Sequence, residues 1–186
     1  MAQNYIFGYG SLVSAQDVER TLGHPPQSLI PTTLNGWVRD WSIILDNTTT
    51  TRRYETLPER TVPHFVAILN IHQPRSGENA TNPNGVLFPV SDEEMSKMDS
   101  REKHYHRIDV TADIIDKPDG KVYTYVGMDE FLETPALRQQ AVLPKSYLDL
   151  VEQGFQTFGQ DSLNRFRAST IKSEAPIQPT IHTSNV

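Results

Sequence analysis

Residues 107–114, Arg-Ile-Asp-Val-Thr-Ala-Asp-Ile, alternate strictly. Ile108, Val110, Ala112 and Ile114 fall on one face of an extended chain, and Arg107, Asp109, Thr111 and Asp113 on the other. A period of two does not suit an amphipathic helix, so this segment calls for a sheet with one apolar side. Pro118-Asp119-Gly120 then turns the chain, and residues 121–126 return as its hairpin partner.

The rest of the pattern is read around that sheet. Residues 4–9 form a strand that runs into Gly8-Tyr9-Gly10. Ser14 caps a short helix that Gly23 closes, with Asp17 three residues after the cap. Residues 28–46 are β-rich, with Asn35-Gly36 as a turn, and 64–71 and 85–90 are further strands. Ser91 and Glu94 have capping-box spacing ahead of a helix through Met95 and Met98. Residues 145–157 carry Tyr147, Leu148, Val151 and Phe155 at helical spacing, and Asp161 caps a second helical segment through Phe166.

Residues 46–62 are polar and without a period, either a surface excursion or a flap; the threonine- and arginine-bearing part is read as an ordinary surface loop. From Ser169 onward the chain is an arm, either lying on the domain or disordered. These elements predict one α+β domain over 1–168, with a 169–186 arm, built on a mixed, mostly antiparallel sheet closed into a small barrel and flanked by short helices. Trp37, Arg39 and Trp41 are read as packing plus one surface charge in preference to a pocket role, and Tyr125 either as a pocket lining or, as is usual for a strand tyrosine, as core filling.

The chain has 186 residues, enough for one domain with a real core, and a formal net charge of −6, which argues against nucleic acid or an anionic membrane as partner. It contains no cysteine, which excludes disulfides, a thiol nucleophile and thiolate metal sites. No stretch approaches the ~20 apolar residues that span a bilayer, and the first residues lack a basic, apolar leader, so a cytoplasmic protein is expected.

Two segments carry chemistry. Gly8-Tyr9-Gly10-Ser11-Leu12 joins a strand to a helix; its glycines serve either simply a positive φ or a nest of N–H groups suited to a carboxylate or a developing oxyanion. It lacks the endings of a P-loop and of a dinucleotide fingerprint. The second segment is Met98-Asp-Ser-Arg-Glu-Lys-His-Tyr-His-Arg107. Taken alone, Glu102 reads as part of a solvated helix end with weak surface ion pairs. His104 and His106 lack an evident third ligand, so no metal site is predicted.

"FGYGSL", "NGVLFPVSDEEMSKMDSREKHYHRIDV" and "LPKSYLDLVEQGF", in that order over residues 5–166, resemble the γ-glutamylcyclotransferase family. The resemblance implies a small barrel flanked by helices and a cofactor-free reaction on a small γ-glutamyl compound. In that reaction the α-amine of a γ-glutamyl group attacks its own γ-carbonyl, forming 5-oxoproline and releasing an amine. It also implies Glu102 as catalytic acid/base, Tyr9, Gly10, Ser11 and Leu12 as the substrate-holding loop, and Tyr147 as a substrate contact.

The chemistry agrees. The amine must lose a proton and the leaving nitrogen gain one, and one carboxylate with a raised pKa serves both steps. The glutathione-degrading branch carries a tryptophan soon after the loop, where Val13-Ser14 stand here. A γ-glutamyl amino acid or γ-glutamylamine is therefore at least as open as glutathione. The alternative is a non-catalytic module on the same fold that binds a small carboxylate.

Overall fold

A computed structural model describes residues 3–50 and 52–184. The chain opens with β1 (Gln3–Gly8), a 3-10 turn over Ser11–Val13, and α1 (Ala15–Leu22). It continues through β2 (Ile30–Thr33), β3 (Val38–Asp46), β4 (Arg52–Thr56), β5 (Phe65–His72) and β6 (Asn84–Val90). Next come α2 (Asp92–Arg101), β7 (Tyr105–Asp109), β8 (Gly120–Gly127), α3 (Pro135–Arg138) and β9 (Ala141–Pro144). Last are α4 (Lys145–Gln156), α5 (Gln160–Ala168), β10 (Ile177–Gln178) and β11 (Thr180–Ser184).

The fold is α+β with mixed sheets. One sheet has the order β2-β6-β1-β8-β7, a second β10-β9-β5-β3, and β11 pairs with β4 in a ribbon. β1 lies in the middle of the first sheet, antiparallel to β6 and parallel to β8. Among the described residues no sheet closes into the expected barrel. Where the two large sheets meet, side chains replace a backbone ladder. The Gly127 N–H donates to Asn70 Oδ1 at 2.8 Å, and the Tyr105 hydroxyl donates to the Leu69 carbonyl at 3.0 Å.

Several local predictions hold for the stated reasons. In the capping box the Glu94 N–H donates to Ser91 Oγ and the Ser91 N–H to Glu94 Oε2. This fixes the start of α2 and buries Met95 and Met98. Ser14 occupies the N-cap of α1 and Gly23, at φ 89°, its left-handed C-cap. The Ser14 side chain makes no cap bond, however, and Asp17 pairs instead with Arg20. α5 is capped by Gly159 and not by Asp161, which sits inside the first turn.

The alternating run makes a shorter strand than its pattern suggests. β7 stops at Asp109, whose carboxylate accepts from both the N–H and the hydroxyl of Thr111. That local turn competes with the ladder and bends the chain into a 3-10 turn over Thr111–Asp113, leaving Ala112 exposed. The 46–62 segment is likewise more than a surface loop, since it supplies β4. Beyond α5 the chain crosses the second sheet: β10 adds parallel to β9, and β11 runs antiparallel to β4 with His182 opposite Tyr54.

Arg39 overturns its reading as a surface charge. It is 0 % exposed. Its guanidinium donates to the carbonyls of Tyr9 (3.3 Å), Asn84 (2.5 Å) and Phe166 (3.2 Å), and to side-chain oxygens of Asn84, Ser169 and Thr170. It also lies over the rings of Phe155 and Phe166, 5.3 and 4.6 Å from their centroids. Burial pulls its pKa down to about 9, which leaves it charged at neutral pH.

Candidate active site

α2 ends at Arg101, and Glu102 is its C-cap, with its N–H on the Met98 carbonyl at 2.9 Å. The Tyr105 N–H returns to the Glu102 carbonyl at 2.9 Å, so the chain reverses tightly between helix and strand. That reversal turns the Glu102 side chain inward, where it is 16 % exposed. A solvated helix end does not describe it. Burial raises the carboxyl pKa above its ordinary value; the charge of Arg101 and its hydrogen bond act against that rise without cancelling it.

Arg101 forms a fork that sequence reasoning missed. Nη1 is bonded to Glu102 Oε1, and Nη2 donates to Ser11 Oγ at 2.9 Å. One guanidinium thus ties the carboxylate to the glycine loop. The only signal in the sequence was an arginine adjacent to Glu102, a pattern shared by countless surface helices.

The loop is shaped by close approach. Neither Gly8 nor Gly10 is among the glycines with positive φ, and a Cβ on Gly8 would stand 2.8 Å from that of Leu12. The first bond of the 3-10 turn runs from the Val13 N–H to the Gly10 carbonyl at 3.0 Å. The amides of Ser11 and Leu12 come before that bond and take no part in the turn's ladder. Tyr9 is pinned at both ends: its hydroxyl donates to the Tyr125 carbonyl at 2.8 Å, and its own carbonyl accepts from Arg39.

Tyr9, Gly10, Ser11, Leu12, Glu102 and Tyr147 all line one cavity of about 40 Å³. Tyr105 and Tyr125 line it too, the first unforeseen and the second in keeping with the pocket-lining alternative to core filling. The Tyr125 hydroxyl donates to Asp99 Oδ1 at 2.9 Å, and Tyr147 packs edge-on against Trp41 with ring centroids 6.2 Å apart. Burial, with the negative charge of Glu102 beside them, raises the pKa of Tyr9, Tyr105 and Tyr147. All three remain neutral at physiological pH. The cavity is therefore ringed by phenols around one perturbed carboxylate, a combination suited to proton transfer on a small polar ligand.

His104 lies beside this site with its ring edge-on to Phe131, 4.6 Å between centroids, and its pKa is lowered by burial and by Lys103. Among the described residues no group of three or more potential metal ligands comes together, and no helix is long and apolar enough to cross a membrane.

No family model matches the sequence, and no curated protein does either. Solved structures do. A γ-glutamyl cyclotransferase matches at TM-score 0.58 and 14 % identity, over 95 % of this chain and 94 % of its own. An uncharacterized protein from Homo sapiens matches at TM-score 0.61 and 15 % identity, over 100 % and 94 %. A yeast γ-glutamyl cyclotransferase described as specific to glutathione matches at TM-score 0.53 and 13 % identity, over 89 % and 97 %. The chain thus has the fold of the γ-glutamyl cyclotransferases.

Proposed function

We propose that this protein is a cofactor-free γ-glutamyl cyclotransferase that converts a γ-glutamyl group to 5-oxoproline and releases an amine or amino acid. The observation that carries this reading is the cavity in which Glu102, its pKa raised by burial, faces the 9–12 loop and Tyr147.

In this reading Glu102 takes a proton from the substrate's α-amine, which then attacks the γ-carbonyl within the same molecule. The new C–N bond closes a five-membered ring and pushes the carbonyl electrons onto oxygen. The Ser11 and Leu12 amides and the neutral phenols are the available donors for that oxyanion or for the substrate's α-carboxylate, where one lost donor costs about 3 kcal/mol of barrier. Glu102 then returns its proton to the departing nitrogen, the amide C–N bond breaks, and the carbonyl re-forms. The nucleophile belongs to the substrate, so no serine or cysteine is needed. Confinement among packed aromatics holds the glutamyl chain in its folded attack geometry.

The test is release of 5-oxoproline from γ-glutamyl dipeptides, glutathione and γ-glutamyl-ε-lysine. Product from one class establishes the reaction and its substrate together. Silence across the panel, with calorimetric binding of glutamate-like ligands, would instead support a carboxylate-binding module.

Arg101 gives a second, independent check. Its charge lowers the Glu102 pKa, so Arg101→Met should let that pKa rise further. A base must be ionised to act, and the acid limb of the kcat/KM profile should therefore move to higher pH in the variant. An acid limb that stays in place would remove Arg101 from any influence on the carboxylate.

A further inference from the structure

The cavity beside Glu102, at about 40 Å³, is the narrow inner part of a larger space. A wider cleft of about 290 Å³ opens from it, and Ser11, Glu102, Tyr105 and Tyr147 line both spaces. On the proposed reaction, the bond to be broken lies at this neck, with the glutamyl group inward and the leaving amine outward.

The outer cleft has a distinct chemistry. Leu45 from β3 and Val66 and Ile68 from β5 make an apolar wall. The β4–β11 ribbon also lines the cleft; its Tyr54 and His182 stand in register with ring centroids 4.2 Å apart at 73°, and Tyr54 packs against the apolar cluster of Val66 and Ile68. These two side chains line the cleft beside Glu102 and also the broader depression that holds Asp17 and Arg20. The acidic groups on the two surfaces are both held by arginine: Asp17 by Arg20 and Glu102 by Arg101. Lys103 adds a positive charge, His104 and His182 add imidazoles, and among the described residues no further carboxylate lines either surface. An amine bringing a second positive charge would find, among those residues, no acidic partner that is not already engaged.

We infer that the β4–β11 ribbon is the leaving-group wall of the site, with Tyr54 and His182 as specificity-determining residues that favour an apolar leaving amine carrying no second positive charge. This rests on the cyclotransferase reading above. It assigns a role to the C-terminal segment, which lies outside the motifs that suggested the reaction.

The experiment compares kcat/KM for γ-glutamyl-leucine, γ-glutamyl-methylamide and γ-glutamyl-putrescine in the wild type, Tyr54→Leu and His182→Gln. Both substitutions leave the backbone ladder of the ribbon in place. The wild type should prefer the leucine compound over the other two, and the leucine-to-methylamide ratio should fall about tenfold in each variant, the scale of a lost apolar contact in a specificity pocket. A ratio that does not change, including a parallel loss on all substrates, overturns the assignment, as does a wild-type preference for putrescine. If the wild type releases no 5-oxoproline from any compound, the cyclotransferase reading fails on its own account. The ribbon is then judged by the same ratio taken from calorimetric Kd values for the same three proteins, and an unchanged ratio overturns it there as well.

Discussion

Glu102→Gln is expected to lower 5-oxoproline release by about 10²–10⁴-fold, the range for loss of a positioned general acid/base. Glutamine keeps the size of the side chain and an oxygen for Arg101 but neither takes nor gives a proton at the required step. The same variant should gain stability near neutral pH. The native carboxyl has a raised pKa, because burial opposes its ionisation. Below the ordinary carboxylate pKa of about 4.3 the group is protonated in both folded and unfolded chains, and it imposes no penalty on folding. As pH rises, the unfolded chain ionises first, and wild-type stability falls until the native pKa is passed. Glutamine avoids that loss, so the difference in Tm should be small near pH 4 and favour the variant at pH 7–8. Full activity in the variant would remove Glu102 from the chemistry, and an unaltered Tm difference across that range would remove the burial argument.

Arg39→Met should destabilise the fold by about 3–5 kcal/mol, since it leaves several buried oxygens without donors. The guanidinium joins the carbonyl of Tyr9, the start of β6 at Asn84, the end of α5 at Phe166, and Thr170 at the beginning of the C-terminal crossing. For a chain of this size the loss corresponds to about 6–20 °C in Tm. Arg39→Lys should recover little, because a single ammonium cannot reach acceptors on four sides or lie as a plane over the stacked Phe155 and Phe166 rings. Thermal unfolding of both variants checks this. A shift of a degree or two would mean that the neutral acceptors relax onto one another and that the charge is dispensable.

Most of what the sequence revealed was local. The α2 capping box, the left-handed Gly23 and the apolar stripe of α4 are set by residues within a turn or two of each other, and each was read correctly. Where a short polar contact competed with the pattern, as Asp109 does with the alternating run, the pattern ran too far. The least legible features were those made by distant segments. Arg39 reads as a surface charge until Asn84, Phe166 and Thr170 close around it. Arg101 reads as helix decoration until Ser11 arrives. β10 and β11 are too short to show a period, and their existence depends on β9 and β4. Glu102 and the 9–12 loop were singled out by motif resemblance, while the phenol ring around them was only partly foreseen, because strand tyrosines have no signature that separates a cavity lining from a core.

The placement of β1 has a consequence for how the chain is made. Its Ile6 and Phe7 are almost wholly buried, yet the strand lies between β6 and β8, neither of which exists when β1 leaves the ribosome. Gln3 waits for Gly120, and the ribbon that walls the outer cleft waits until Thr180–Ser184 have been synthesised. At about 5–20 residues per second the nascent chain carries an unpaired apolar strand for several seconds. Completion of the first sheet therefore waits for β8, and a chain stalled before β6 has no neighbouring strand against which to pair its first one. The segment that supplies the proposed substrate loop is also the one most in need of protection during synthesis.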